Sequence, residues 1–580
     1  MTPSAMPDVS SEPARPRILV PEKVSPDGLA LLTPHFDVDV RMGLTPDELV
    51  RTIPGYHGLI VRSETKVTPA VLQAGRKLRV VARAGVGVDN INVPAATNQG
   101  IIVVNSPSGN ILAAAEHTIA LLLATARNVG RADGGVKAGR WERSKLVGVE
   151  VGRKTLGIVG LGKVGLNVAR MAKGLGMQVR AVDPYASADM ARQAGVELVP
   201  SLDDLLPAVD FLTIHTPLLA TTMDLVGEPQ LRAMRPTARV LNVARGGVYN
   251  EAALLQALDE GWIAGAGLDV FTSEPPEEDS TAARLARHPK VVATPHLGAS
   301  TVEAQENVSM DVCKQMLEIL RGGLPTSAVN APIILPEQYA KLQPSVRLVE
   351  KMGRLYTQHY VRSKGGMVGG RRFELVYRGE LAGMPNTKPL FAALVKGLVA
   401  SFSDSNVNIV NAELIAREKG IVINETQARD SPDTYANLVT LRSVGDGAEG
   451  VAGGEQQVIE GYASDKRVYI SKLDRFKASF SPEGTLIILH NYDEPGKIGG
   501  VGMVLGSHGI NIRFMQVAGL GGDGNGTRSR SGSGSDGGGG AERKDNEALM
   551  ILGVDGEVGE SVLEGLRAAD GVLDVNLVRL

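Results

Sequence analysis

The chain has 580 residues, enough for about three to five domains. Lys and Arg number 61 against 64 Asp and Glu, a net charge of −3, so the balance implies no nucleic-acid partner and no charged membrane face. One cysteine, Cys313, excludes disulfides within the chain; with scattered histidines and no CxxC, no metal site is expected. No apolar run is long enough to span a bilayer. Residues 1–16 are Pro/Ser-rich with mixed charge and lack a signal-peptide core, so they read as a disordered tail on a cytoplasmic protein.

From 17 to 105 short apolar strands alternate with helices. Strands are predicted at 18–20, 36–40, 58–61, 78–82 and 101–104, and helices at 25–32, 45–52 and 69–74, which makes a parallel α/β unit. Open α/β sheets bind ligands beyond the carboxyl ends of their strands. Two such ends carry candidate residues: Arg62-Ser63, and Arg83-Ala84-Gly85-Val86-Gly87. Gly85 and Gly87 offer backbone N–H groups to a carboxylate, and Arg62 and Arg83 add charge. A breaker cluster at 105–110 then precedes a largely apolar helix over 111–128, predicted to be a buried bridge between domains.

The stretch from Lys154 to Pro184 organises the rest. An apolar strand, Thr155-Leu156-Gly157-Ile158-Val159, runs into Gly160-Leu161-Gly162-Lys163-Val164-Gly165. A helical pattern and a second apolar strand ending in Asp183 follow. This is a βαβ unit with a dinucleotide fingerprint. Gly160 permits the tight turn, Gly162 lets backbone approach a pyrophosphate, and Gly165 lets helix and strand pack closely. The phosphates sit on free N–H groups at the helix N-terminus. A lone GxGxxG is a weak signal; the acid roughly 20 residues further on strengthens it. Asp183 accepts both ribose hydroxyls and repels a 2′-phosphate, favouring NAD over NADP; Arg180 is the one feature that softens this preference. Four further strand ends present polar residues: His215/Thr216, Arg245, Asp269/Glu274 and His296.

NVARGG at 242–247, LDVFTSEPP at 268–276 and TPHLGAST at 294–301, with RAGVGVDNI at 83–91 and GRWER at 139–143, resemble the signatures of the D-isomer-specific 2-hydroxyacid dehydrogenases. Within that family the chain is most similar to the long phosphoglycerate dehydrogenases. The resemblance implies a Rossmann NAD-binding domain, 106–299, inserted in a flavodoxin-like substrate domain, 17–105 and 300–333. It implies oxidation of 3-phosphoglycerate with NAD in serine synthesis. His296 is then the acid/base, Glu274 its orienting partner, and Arg245 the group on the substrate carboxylate and C2 oxygen. Val86 and Gly87 complete the carboxylate site; Arg62, with Ser63 beside it, Arg83 and Arg143 meet the phosphate, Arg143 coming from a neighbouring subunit. Gly160, Gly162, Lys163, Val164, Gly165 and Asp183 hold the dinucleotide, with Thr216, Val243, Asp269, His296 and Gly298 along it. The alternatives are a glyoxylate or hydroxypyruvate reductase, or a corepressor-like binding protein on the same scaffold. The arginines and the C-terminal half argue against both.

Residues 334–482 read as a separate α+β domain that resembles the intervening domain of the long enzymes. Residues 483–580 read β-α-β-β-α-β, the ferredoxin-like order, with a Gly/Ser-rich insert at 519–547 predicted to be disordered. HNYDEPGKIGGVGMVLGSHGINI at 490–512 resembles the opening of an ACT domain. That resemblance implies L-serine as effector, held by Asn491, Asp493 and Asn511 at an edge between chains, and hence a homodimer or homotetramer.

Overall fold

The computed structural model describes residues 15–332, 334–361, 368–403, 406–428, 435–444, 457–464, 467–519 and 546–580. Most of the predicted tail and insert, 1–14 and 520–545, lies outside the described residues.

The first sheet holds β1 (Arg17–Val20), β2 (Asp37–Val40), β3 (Gly58–Val61), β4 (Val80–Arg83) and β5 (Ile102–Asn105). All are parallel, in the order β2-β1-β3-β4-β5, the flavodoxin-like winding. β3 is apolar throughout because it is covered on both faces. One cover comes from far along the chain. Helix Val302–Leu320 lays Val308, Val312, Cys313 and Met316 against Ile18, Val20 and Ile60, so the chain returns to this sheet after leaving it.

The second sheet holds β6 (Thr155–Val159), β7 (Gln178–Val182), β8 (Glu197–Leu198), β9 (Phe211–Ile214), β10 (Arg239–Asn242), β11 (Gly265–Leu268) and β12 (Val291–Ala293). It too is parallel, ordered β12-β11-β10-β9-β6-β7-β8. The winding reverses between β6 and β9, which opens a crevice at their carboxyl ends. Gly160 sits there at φ +92°, where a side chain would be strained. A Cβ on Gly165 would collide with the Gly160 carbonyl oxygen, so the helix can approach the strand only with glycine there. The helix expected as a bridge over 111–128 ends at Ala126 and belongs to this sheet's core, packing Ala115, Leu121 and Leu122 on Leu156 and Ile158.

The C-terminal half has two more sheets. One is mixed and six-stranded: β13 (Arg372–Gly379), β14 (Val422–Ala428), β15 (Asn437–Val444), β16 (Val458–Ser464), β17 (Arg467–Leu473) and β18 (Phe476–Phe480), ordered β14-β13-β15-β16-β17-β18. The sequence reading did not find β14, a polar and exposed edge strand with no apolar alternation to betray it, nor the short β18. The last sheet holds β19 (Thr485–Tyr492), β20 (Asn511–Gly519), β21 (Glu547–Asp555) and β22 (Val572–Arg579), ordered β20-β21-β19-β22 and antiparallel between neighbours. Its two helices cover one face. The other face puts Leu486, Ile488, Leu549 and Ile551 into one core with Phe373, Phe476 and Phe480, so the two modules read as separate in sequence share their apolar interior.

Candidate active site

The polar residues at the strand ends converge on the gap between the first two sheets. Val86, Gly87, Thr216, Val243, Arg245, His296 and Gly298 line one cleft of about 430 Å³. His296 Nδ1 lies 2.7 Å from Glu274 Oε2. Burial raises the Glu274 carboxyl, but hydrogen bonds from His296 and the Phe271 N–H outweigh it and hold the group below its ordinary 4.5. Glu274 is therefore a carboxylate at neutral pH. It accepts from Nδ1–H and leaves Nε2 to exchange a proton with the cleft.

Beneath His296 lies Asp269, which is 0 % exposed. Its Oδ1 accepts the Leu297 N–H at 2.7 Å, the Thr294 hydroxyl at 2.6 Å and His117 Nε2 at 3.1 Å. Its Oδ2 accepts the Gly298 N–H at 2.8 Å. The reason for so many bonds lies in the backbone. His296 has φ +55°, a left-handed conformation that costs a non-glycine residue roughly 1–2 kcal/mol. The three bonds that Thr294, Leu297 and Gly298 make to Asp269 tie down the loop around that strained residue. Burial raises the Asp269 carboxyl, yet the bonds from His117, Thr294 and Leu297 prevail and leave it below 3.8. A folded-state value below the unfolded one stabilises the chain above about pH 4, and that contribution is lost as pH falls through the lowered value.

Across the cleft, Arg245 Nε donates to Asp89 Oδ2 at 3.1 Å, a link between the two sheets' domains. Asn242 ties the turn behind it, donating to the Arg245 carbonyl at 2.8 Å and accepting the Ala244 N–H at 3.1 Å. A Cβ on Gly87 would meet the Arg245 guanidinium, which would have to shift to accommodate it. Arg83 is lowered to about 10, first by burial and then by the charge of Arg245, and stays cationic at pH 7. Arg62 lines an adjoining cleft of about 540 Å³ with Lys23, Ser300 and Thr301, and Ser63 beside it is exposed. Arg143 does not reach either cleft; it stands exposed on a 3-10 turn, Arg143–Lys145, next to Trp141, which is 84 % exposed. Burial pushes His215 down to about 4, so its ring is neutral at pH 7 and unsuited to the acid/base role.

At the β6/β9 crevice Gly160, Gly162, Lys163, Val164 and Gly165 form the turn into helix Lys163–Gly174, whose first turn no side chain caps. Space above Gly162 is open. The Asp183 carboxylate accepts the Leu161 N–H at 2.7 Å and the Tyr185 N–H at 2.8 Å, which fixes it beside that turn. Arg180 is engaged with Glu197 at 3.0 Å. Thr216 Oγ1 is buried and has no partner among the described residues.

The C-terminal residues are not assembled within one chain. Asn491 and Asp493 lie where β19 ends, but Asn511 begins β20, which runs parallel to β19 with β21 between them. Asn511 is thus at the opposite end of the sheet. Asn491 is buried, its amide donating to the Tyr492 carbonyl at 2.8 Å.

Sequence reasoning missed His117, Asp89 and Asn242. Asn242 lay inside NVARGG and Asp89 inside RAGVGVDNI, so both had a motif to point to them. His117 sits in an apolar helix and had none.

Two family models match: the NAD-binding domain of the D-isomer specific 2-hydroxyacid dehydrogenases over 119–298, and the D-3-phosphoglycerate dehydrogenase intervening domain over 341–457. Over 575 residues the chain is 42% identical to D-3-phosphoglycerate dehydrogenase 2, chloroplastic, of Arabidopsis thaliana, covering 98% of this chain and 87% of that one. The chain belongs to the D-3-phosphoglycerate dehydrogenase family. Its Archaeoglobus fulgidus member is 38% identical over 565 residues, covering 97% of this chain and 100% of its own. The solved TT0316 protein of Thermus thermophilus, at 33% identity and a TM-score of 0.50, covers 54% of this chain and 99% of its own length. None of the described helices is long and apolar enough to cross a membrane.

Asp269→Asn turns one buried acceptor into a donor facing an N–H, a loss of about 1–3 kcal/mol. The variant should unfold at lower denaturant and lose turnover, because the His296 loop relaxes toward an unstrained backbone. Unchanged kcat and midpoint would mean that other contacts hold the loop.

Proposed function

We propose that the chain oxidises 3-phospho-D-glycerate to 3-phosphohydroxypyruvate with NAD, the first step of L-serine synthesis. The observation that carries this is the His296–Glu274 pair facing Arg245 across one cleft beside the dinucleotide turn. NAD, when bound, supplies the acceptor for the hydride from C2. The residues fit it: an uncapped helix start, open space over Gly162, an Asp183 carboxylate beside the turn, and an unpartnered Thr216 hydroxyl. Arg180 turned toward Glu197 leaves the preference for NAD over NADP intact.

His296 Nε2 takes the C2 hydroxyl proton, and Glu274 stabilises the imidazolium that results. Arg245 binds the substrate carboxylate and steadies charge on the C2 oxygen, with the Val86 and Gly87 backbone completing that site. Lys163, Val164, Val243 and Gly298 border the cofactor, while Asp269 acts through the His296 loop. Arg62, Ser63 and Arg83 meet the phosphate. Arg143 comes from a second copy of the chain; the exposed Trp141 and Val147 flanking it suit an apolar contact in a homodimer or homotetramer. The free, buried Cys313 suits a reducing cytoplasm.

His296→Gln should keep NAD affinity and lower kcat by about 10²–10⁴, the usual worth of a positioned acid/base. Near-normal turnover would remove His296 from the chemistry.

The C-terminal sheet is the proposed site of L-serine inhibition. Asp493 holds the ammonium, Asn491 lies beside it, and Asn511, at the far end of its own sheet, is contributed by a second copy. Calorimetry should show serine binding to the wild type and not to Asp493→Ala, whose uninhibited rate is retained. Serine inhibition that simply competes with 3-phosphoglycerate and survives Asp493→Ala would contradict this reading.

A further inference from the structure

Two side chains outside the proposed substrate contacts hold the Arg62 loop: Glu22 ties it to the end of β1, and Asn90 ties it to the turn that carries Val86 and Gly87. Glu22 follows β1 and is 5 % exposed. Its Oε1 accepts the Arg62 N–H at 2.8 Å and the Thr65 N–H at 2.9 Å, and its Oε2 accepts the Glu64 N–H at 3.2 Å. Asn90 grips the same segment by its carbonyls: Nδ2 donates to the Arg62 oxygen at 2.8 Å and to the Thr65 oxygen at 2.7 Å. Main-chain bonds extend the seam, Val67 N–H to the Asn90 oxygen at 2.8 Å and Asn92 N–H to the Val67 oxygen at 3.0 Å.

The segment after β3 is thus held through its N–H groups by one anion and through its C=O groups by one amide. Three N–H groups converging on a buried carboxylate are charge-assisted bonds, stronger than a turn needs merely to close. Asn90 also ends the turn that begins at Gly85 and carries Val86, Gly87 and Asp89, the partner of Arg245. Any tilt of the Arg62 loop is therefore a movement against the loop proposed to bind the carboxylate.

We infer that Glu22 and Asn90 are positioning residues that hold the phosphate-binding loop at a fixed place relative to the carboxylate-binding loop, an inference that rests on Arg62 meeting the phosphate as proposed above. A substrate with an anion at each end gains from that fixed spacing, because neither loop must be ordered when it binds. The effect belongs to binding and leaves proton transfer at His296 alone.

The test is steady-state kinetics of the full chain with 3-phosphoglycerate for Glu22→Gln, Glu22→Asp, Asn90→Ala, Arg62→Ala and the double variant Glu22→Gln/Arg62→Ala. Glu22→Gln should raise KM about tenfold with kcat within about threefold, the signature of lost uniform binding. Glu22→Asp, which keeps the charge, should recover part of that loss. Added to Arg62→Ala, Glu22→Gln should change KM by no more than about twofold, since the loop then has no guanidinium to place. A merely structural Glu22 would instead give additive effects, and that result would overturn the inference. So would wild-type KM in Glu22→Gln. Should Glu22→Gln fail to fold, Asn90→Ala with and without Arg62→Ala is judged by the same criteria. If Arg62→Ala itself leaves KM unchanged, the phosphate role of Arg62 falls and the inference falls with it; an Arg62→Ala effect beside silent Glu22→Gln and Asn90→Ala overturns the inference alone.

Discussion

Four hydrogen bonds converge on the buried Asp269 carboxylate, and the geometry of the cleft depends on them. Three of them come from the loop after β12, on which His296 keeps a positive φ and its imidazole meets Glu274. The proposed acid/base pair therefore rests beside an anion that is itself fully buried. Asp269 can play this part because β11 and β12 are parallel neighbours, which places the end of one strand under the loop that leaves the other. A parallel sheet supplies that arrangement wherever two strands end side by side.

The cleft lies between domains, so its two walls are built separately. The His296 wall belongs to the dinucleotide-binding domain. The opposite wall, from Gly85 to Asp89, belongs to the first sheet and meets Arg245 at Gly87 and through an ion pair in which Asp89 is largely exposed. Such a pair contributes about 0–1 kcal/mol, too little to lock the domains. The C-terminal half is different: the four-stranded sheet shares one buried core with the six-stranded one.

Much of this was legible in sequence, and the reason is distance along the chain. The turn from Gly160 to Gly165, the acid at Asp183 and the strand ends at Arg245 and His296 are local patterns, each with its chemistry written within a few residues. Glu22 was silent because its three bonds span about 40 residues and nothing beside it signals them. His117 was hidden in an otherwise apolar helix that periodicity assigns to core. Arg143 and Asn511 were found by motif, yet one chain leaves both away from the groups they were grouped with. A motif names a residue type at a position; whether it meets its partners depends on topology and on other copies of the chain.

On the proposed reading, this cleft takes a small 2-hydroxy acid with a phosphate at its far end. The direct measurement is the initial rate of NADH formation, compared across 3-phosphoglycerate, D-glycerate and glycolate at one NAD concentration. The arginines proposed to meet the phosphate predict a kcat/KM for 3-phosphoglycerate at least about 10² above the others, since only that substrate offers them an anion to pair with. Equal or higher kcat/KM for D-glycerate or glycolate would contradict the account.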